Sequence, residues 1–219
     1  MTGLLGGARS PIGWSVHYLE ASLDAVLGGI VSARAGSIIE VRDPEPYPGV
    51  LERLVPFEAP WTRELALPCG SWTAYLNNGI NGGDSTAIGQ AVARRLGVRH
   101  VMAEHTLRYG PGHQATQLWI SEPQGSSPMA GRVISASATD GRWEWHTSGE
   151  PLPFEDVERY SARRIRDRFD RTMLLGYLNA LGIPADDDSS YGDGFLVQQV
   201  VDWQVRSVSL AEARAEFES

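Results

Sequence analysis

The sequence predicts an α+β domain, a mixed, mostly antiparallel sheet with three or four packed helices. Three observations lead there. Apolar and polar residues alternate in several short runs, the period of a half-buried strand. Two of those runs flank Asp140-Gly141, the strongest short hairpin signal, so the strands on either side pair antiparallel. Residues 70–106 read as strand, glycine-rich turn, amphipathic helix and strand. A length of 219 residues suits a single domain with a full core.

In chain order, residues 1–11 are expected to be a loose terminus, and Trp14, Val16 and Tyr18 to form a short strand. Ser22 caps a helix whose stripe is Leu23, Val26, Leu27 and Ile30. Residues 37–41 make a strand, and the prolines and glycine of 43–49 make a turn-rich connection. A helical turn over 50–54 and a strand over 61–67 follow. Trp72, Ala74 and Leu76 then alternate with Thr73, Tyr75 and Asn77. Asn77-Asn78-Gly79 ends that strand, because Asn and Gly tolerate positive φ. Asp84 or Ser85 caps the next helix, where Ile88, Val92 and Leu96 share a stripe and Gly97 stops it.

Residues 98–106 and 114–121 resume extended structure. Residues 132–138 and 143–147 form the hairpin, and 148–154 is a Gly/Pro connection. The Arg-rich segment 156–169 is read as a helix. Asp170 caps another through Leu181, with Leu174, Leu175, Leu178 and Leu181 inward and Gly182 with Pro184 ending it. A solvated loop spans 185–194, a last strand 195–205, and Ser209 opens a terminal helix to about Phe217.

Composition excludes several chemistries. The net charge of −8 disfavours non-specific nucleic-acid binding, which needs basic groups at phosphates. A basic protein partner fits that charge. All 19 basic residues are Arg. With no lysine there is no Schiff base, no Walker-type phosphate lysine and no kinase strand lysine. Cys69 is the sole cysteine, so no internal disulfide or multi-cysteine zinc site can form. The N-terminus lacks the pattern of a signal peptide. Residues 65–83 are uncharged but hold Pro68 and several Asn and Gly, unlike a bilayer span. A cytoplasmic protein with no membrane segment is expected.

Each chemically suggestive cluster has a plainer explanation beside it. The turn over 78–85, NGINGGDS, could offer helix amides to a phosphate, yet it matches no phosphate fingerprint and Asp84 would repel an anion. His100, His105 and His113, with Glu104, are possible metal ligands. On one strand His100 and His105 point to opposite faces, so no metal is expected. Neither Ser71 nor Cys69 sits in a nucleophile motif. Glu144 with Asp84 or Glu122 could do acid–base work beside Trp143 and Trp145, although core packing accounts for the tryptophans. Arg164, Arg168 and Arg171 would share a helical face able to grip an anion, against the alternative of a surface ion-pair lattice. The candidate binding residues are therefore Asn78, Asp84, Glu104, His105, Trp143, Trp145, Arg164 and Arg168. No cofactor is expected.

WTAYLNNGINGGD at 72–84, GRWEW at 141–145, SGEPLPFEDVERY at 148–160 and RRIRDRF at 163–169 together resemble a set of uncharacterised bacterial proteins. Those share Trp-x-Ala-Tyr-x-x-Asn-Gly, then Gly-x-Trp, then Ser-Gly-x-Pro-x-Pro-Phe-Glu. The resemblance spans about residues 60–185 and implies no activity or catalytic residue. By analogy of size and acidity alone, some bacterial proteins of this kind are toxin-neutralising immunity proteins. The leading expectation is a non-enzymatic protein-binding role. The alternatives are a small-molecule-binding protein or hydrolase with a pocket near the 77–85 turn, and an oligomeric scaffold.

Overall fold

The structure is a computed structural model and describes residues 3–9, 11–80, 86–109, 113–123 and 131–218. Its strands are β1 (Ser15–Leu19), β2 (Ile38–Val41), β3 (Phe57–Ala59), β4 (Arg63–Cys69), β5 (Trp72–Asn77), β6 (His100–Tyr109), β7 (His113–Ser121), β8 (Arg132–Thr139), β9 (Arg142–Ser148), β10 (Phe195–Val200) and β11 (Arg206–Val208). Its helices are α1 (Leu23–Ala33), α2 (Thr86–Leu96), α3 (Arg171–Ala180) and α4 (Leu210–Glu218). A nine-stranded sheet has the order β2-β10-β4-β5-β1-β6-β7-β8-β9. Every neighbouring pair in it is antiparallel. β3 and β11 form a small antiparallel pair of their own, and a parallel bridge joins Glu58 to Gly79. This is the α+β architecture that the alternating runs predict.

Successive side chains on a strand point to opposite faces, so the register sorts the core into two layers. Leu65, Leu76, Tyr18, Val101, Leu118 and Ile134 face one side, where Leu4, Leu5, Leu51, Phe169, Leu174 and Leu178 cover them. Leu19, Ala66, Tyr75 and Val197 face the other and pack on Val26 and Ile30 of α1 and Val92 and Ala93 of α2. β1 lies between β5 and β6, pairing Tyr18 with both Ala74 and Val101. The two strands of the 70–106 stretch thus run the same way without touching.

Local signals fix the ends of these elements. Ser22 accepts from the Ala25 amide at 3.4 Å, and Asp170 accepts from Met173 at 3.0 Å. Ser209 and Glu212 cap each other reciprocally. Asp140 and Gly141 both take positive φ, the mark of a two-residue type I′ hairpin turn. The expected caps Asp84 and Ser85 lie outside the described residues.

Three expectations are corrected. The N-terminus is not loose. Leu4 and Leu5 are fully buried, and the Leu5 carbonyl accepts from Arg171 Nε at 2.7 Å. Two adjacent leucines gain more from the core than a free terminus gains in entropy. The Arg-rich segment is not a helix either. It forms two short 3-10 turns, Arg159–Ser161 and Ile165–Asp167, with Arg164 extended before the second. Tyr160 and Phe169 both pack on the core. Nine residues apart, they would stand on opposite sides of a helix of about 3.6 residues per turn. Last, the 195–205 strand breaks after Val200. Val208 pairs with Phe57, both buried, and so draws 206–208 onto β3.

Candidate functional site

The expected site residues that the structure describes do not gather at one place. Asn78 is fully buried and its amide is saturated. Oδ1 accepts from the Thr62 and Arg63 amides at 3.0 and 2.9 Å, while Nδ2 donates to the Pro56 carbonyl and to Glu58 at 2.9 and 2.8 Å. It clasps residues 56–63 and has no hydrogen-bonding capacity left for a ligand. Asp84 lies outside the described residues. Glu104 and His105 are chain neighbours on β6 and therefore face opposite sides of the sheet.

Glu104 accepts from Thr106 Oγ1 at 2.7 Å and Gln117 Nε2 at 3.0 Å, with His113 at 3.8 Å. That carboxylate raises the pKa of His113. His105 instead packs under the N-terminal segment, where Thr116 Oγ1 is 3.1 Å away and a Cβ on Gly6 would come within 2.4 Å of the ring. Burial, with Arg171 adding to it, lowers its pKa to about 4, so the imidazole is neutral near pH 7.

Trp143 and Trp145 share the face of Ala138 and Ala136, and Glu144 is exposed on the other, as the spacing predicts. The Trp145 ring lies 5.1 Å from Tyr160, and the Arg168 guanidinium stands over it at 5.9 Å. Arg168 Nε also donates to the Ala162 carbonyl at 2.8 Å. Trp145 and Arg168 do meet, whereas Arg164 is exposed on its extended residue. β1, β6, β7 and β8 separate β5, with Asn78 just after it, from the tryptophan hairpin of β9, so Asn78 and the tryptophans do not line one pocket.

Behind β9 the SGEPLPFE stretch makes a second clasp. The Glu155 side chain is fully buried and paired with that of the buried Arg132. It also accepts from the Leu152 amide at 2.9 Å and Tyr160 hydroxyl at 2.8 Å. Arg132 donates to the Ser148 and Gly149 carbonyls at 3.0 and 2.9 Å. Burial opposes ionisation of Glu155, but the hydrogen bonds from Arg132, Leu152 and Tyr160 outweigh it and hold the carboxyl below its usual pKa. Gly149 has a φ of 78°, and a Cβ there would lie 1.9 Å from the Gly131 carbonyl oxygen. These motif residues join the 150–169 segment to the sheet.

Two features have no motif in the sequence. One is a buried histidine pair, with His17 Nδ1 2.6 Å from His100 Nε2. Burial lowers both pKa values, His100 to about 4, so one neutral ring donates to the other. The outer nitrogens, His17 Nε2 and His100 Nδ1, lack partners among the described residues, and a cavity of about 30 Å3 adjoins them beside Met102 and Trp119. That volume holds about one or two waters. A tetrahedral zinc would hold its nitrogens roughly 3.3 Å apart, so the present spacing leaves no room for an ion between the rings. Standing 83 positions apart in the chain, the two histidines give no local signal.

The other is the β2 end of the sheet. Ile38 is 72% exposed, Val41 51%, Trp203 50% and Val200 44%, and all four sit on or beside β2 and β10. Among the described residues, β2 has a neighbour on one side only. The Arg42 amide donates to the Leu196 carbonyl of β10 at 2.8 Å. Bonding directions alternate along an antiparallel strand, so Glu40 also faces β10, while the amides and carbonyls of Ile39 and Val41 point outward. A groove of about 380 Å3 runs alongside, lined by Arg42, Arg53, Arg63, Asp43, Leu196 and Gln198. Its arginines are paired with Glu40, Glu45 and Glu58 respectively.

Elsewhere, burial pushes the Cys69 thiol up to about 12, which leaves it protonated and unreactive. Among the described residues, no group of three or more His, Cys, Asp or Glu is placed to hold a metal, and no helix is long and apolar enough to cross a membrane. Comparison with protein-family models, curated proteins and solved structures finds no match to this chain.

Proposed function

We propose that the protein works by binding another polypeptide at the β2 end of its sheet. The carrying observation is the coincidence there of exposed Ile38, Val41, Val200 and Trp203 with outward backbone groups on Ile39 and Val41. Such an edge takes an added strand through main-chain hydrogen bonds, with exposed side chains giving specificity. A bacterial cytoplasmic setting and a basic partner accord with the net charge of −8, and neutralisation of a toxin is the most concrete form of that partnership.

The test is affinity capture from the native host with the wild type and with Ile38→Asp. A stoichiometric partner that the substitution removes supports binding at this edge. Turnover of a substrate by the pure protein, or partner binding indifferent to Ile38, contradicts it. A second reading, a small polar ligand at the His17–His100 pair, draws support from the unpartnered outer nitrogens beside the cavity. A thermal-shift screen of small polar compounds against wild type and His100→Phe separates it from the first.

A further inference from the structure

We infer that the chain seated on β2 is the β2 strand of a second copy, paired antiparallel about a two-fold axis at Val41. This rests on the reading that the β2 end binds polypeptide, and it names the partner. An isologous two-fold contact requires a strand to be complementary to itself. A centre on Glu40 or Arg42 would set a like charge against its own symmetry mate, and one on Ile38 would pair β2 with residues before the strand, which leaves residues whose backbone groups point outward, where the central residue bonds to its mate. On β2 those are Ile39 and Val41, since Arg42 and Glu40 face β10.

Charge then chooses between the two centres. With the axis at Ile39, Glu40 stands opposite the partner's Ile38, a carboxylate against an exposed apolar side chain. With the axis at Val41, Glu40 stands opposite the partner's Arg42, and Arg42 opposite the partner's Glu40. These are non-hydrogen-bonded positions, where facing side chains come closest and opposite charges help most. Glu40 and Arg42 form an ion pair within one chain, each about half exposed, so the exchange strips neither of a buried partner. The same register sets Ile38 against the partner's Pro44 and brings the two Val41 side chains together on the opposite face. The most exposed apolar groups of this edge are thereby covered. Pro44 also ends the pairing, because it has no amide to donate.

The experiment is sedimentation equilibrium of the full chain over a wide concentration range. It compares wild type, Glu40→Arg, Arg42→Glu and the double exchange, with circular dichroism melts to verify folding. Wild type is expected to dimerise. Each single exchange sets like charges opposite one another and weakens the dimer about tenfold or more. The double exchange restores affinity to within a few-fold. Val41→Pro, which removes an outward amide at an edge position that tolerates proline, is expected to be a folded monomer. A wild type that stays monomeric while capturing a host protein through Ile38 overturns the self-pairing and leaves the polypeptide-binding reading intact. A monomer whose captured partner ignores β2 overturns both. A dimer unchanged by all these variants overturns this register.

Discussion

The two edges of the sheet meet the same backbone problem with different chemistry. Both β9 and β2 present amides and carbonyls with no neighbouring strand among the described residues. On β9 the outward-facing side chains Arg142, Glu144 and His146 are exposed and polar, and Trp143 and Trp145 are half-buried under the 150–169 segment. That segment is held by the Arg132–Glu155 pair. β2 has no such cover: Ile38 and Val41 are exposed, with one acid, Glu40, between them and one base, Arg42, just after. Charge along an edge discourages pairing with another chain, whereas exposed apolar groups invite it. The difference teaches that β9 is closed by packing while β2 is left open, which is why association is proposed at β2.

The comparison is broken if variants on the two sides behave alike. The largest expected effect is at the β9 clasp. Glu155→Ala leaves Arg132 buried without its carboxylate and should cost about 3–5 kcal/mol, read as a lower urea midpoint. Gly149→Ala forces a side chain onto the Gly131 carbonyl at positive φ and should cost about 1–3 kcal/mol in the same assay.

Acid acts on the sheet between the edges. His100 and His105 titrate near 4 when folded, against about 6.5 unfolded, and His17 is lowered too. Between those values the unfolded chain binds more protons. The stabilisation is full above about pH 6.5 and is lost as pH falls toward 4, by about 1.4 kcal/mol per pH unit for each histidine. Urea melts across that range check the slope, and His105→Gln should flatten it.

The smallest stability effect belongs to β2. Ile38→Asp should change stability by less than about 0.5 kcal/mol, read from the urea midpoint, because the side chain is exposed, while abolishing partner capture. A large loss of stability there would erase the contrast between the edges.

Much of the fold was legible locally. Ser22, Asp170 and Ser209 cap the helices they precede, and Asp140-Gly141 turns the hairpin, because each acts within a few residues of itself. What failed depended on distance. Leu4 and Leu5 are held by α3 from across the chain, and Tyr160 is held out of a helix by Glu155 and Trp145. The candidate site was less legible. Asn78 drew notice as a turn residue, but its partners come from 56–63. The exposure of Ile38 follows from strand order, since the same run inside the sheet would be core. Strand order is set by pairings between remote segments, and no period within β2 encodes it.

The most direct test of the open edge is amide hydrogen exchange resolved to single residues, in dilute and concentrated protein. The amides of Glu40 and Arg42, which face β10, should exchange slowly throughout. Those of Ile39 and Val41 should exchange rapidly when dilute and become protected as the edge is occupied. If Ile39 and Val41 exchange freely at every concentration and with every captured partner, β2 is not the binding edge and the account fails.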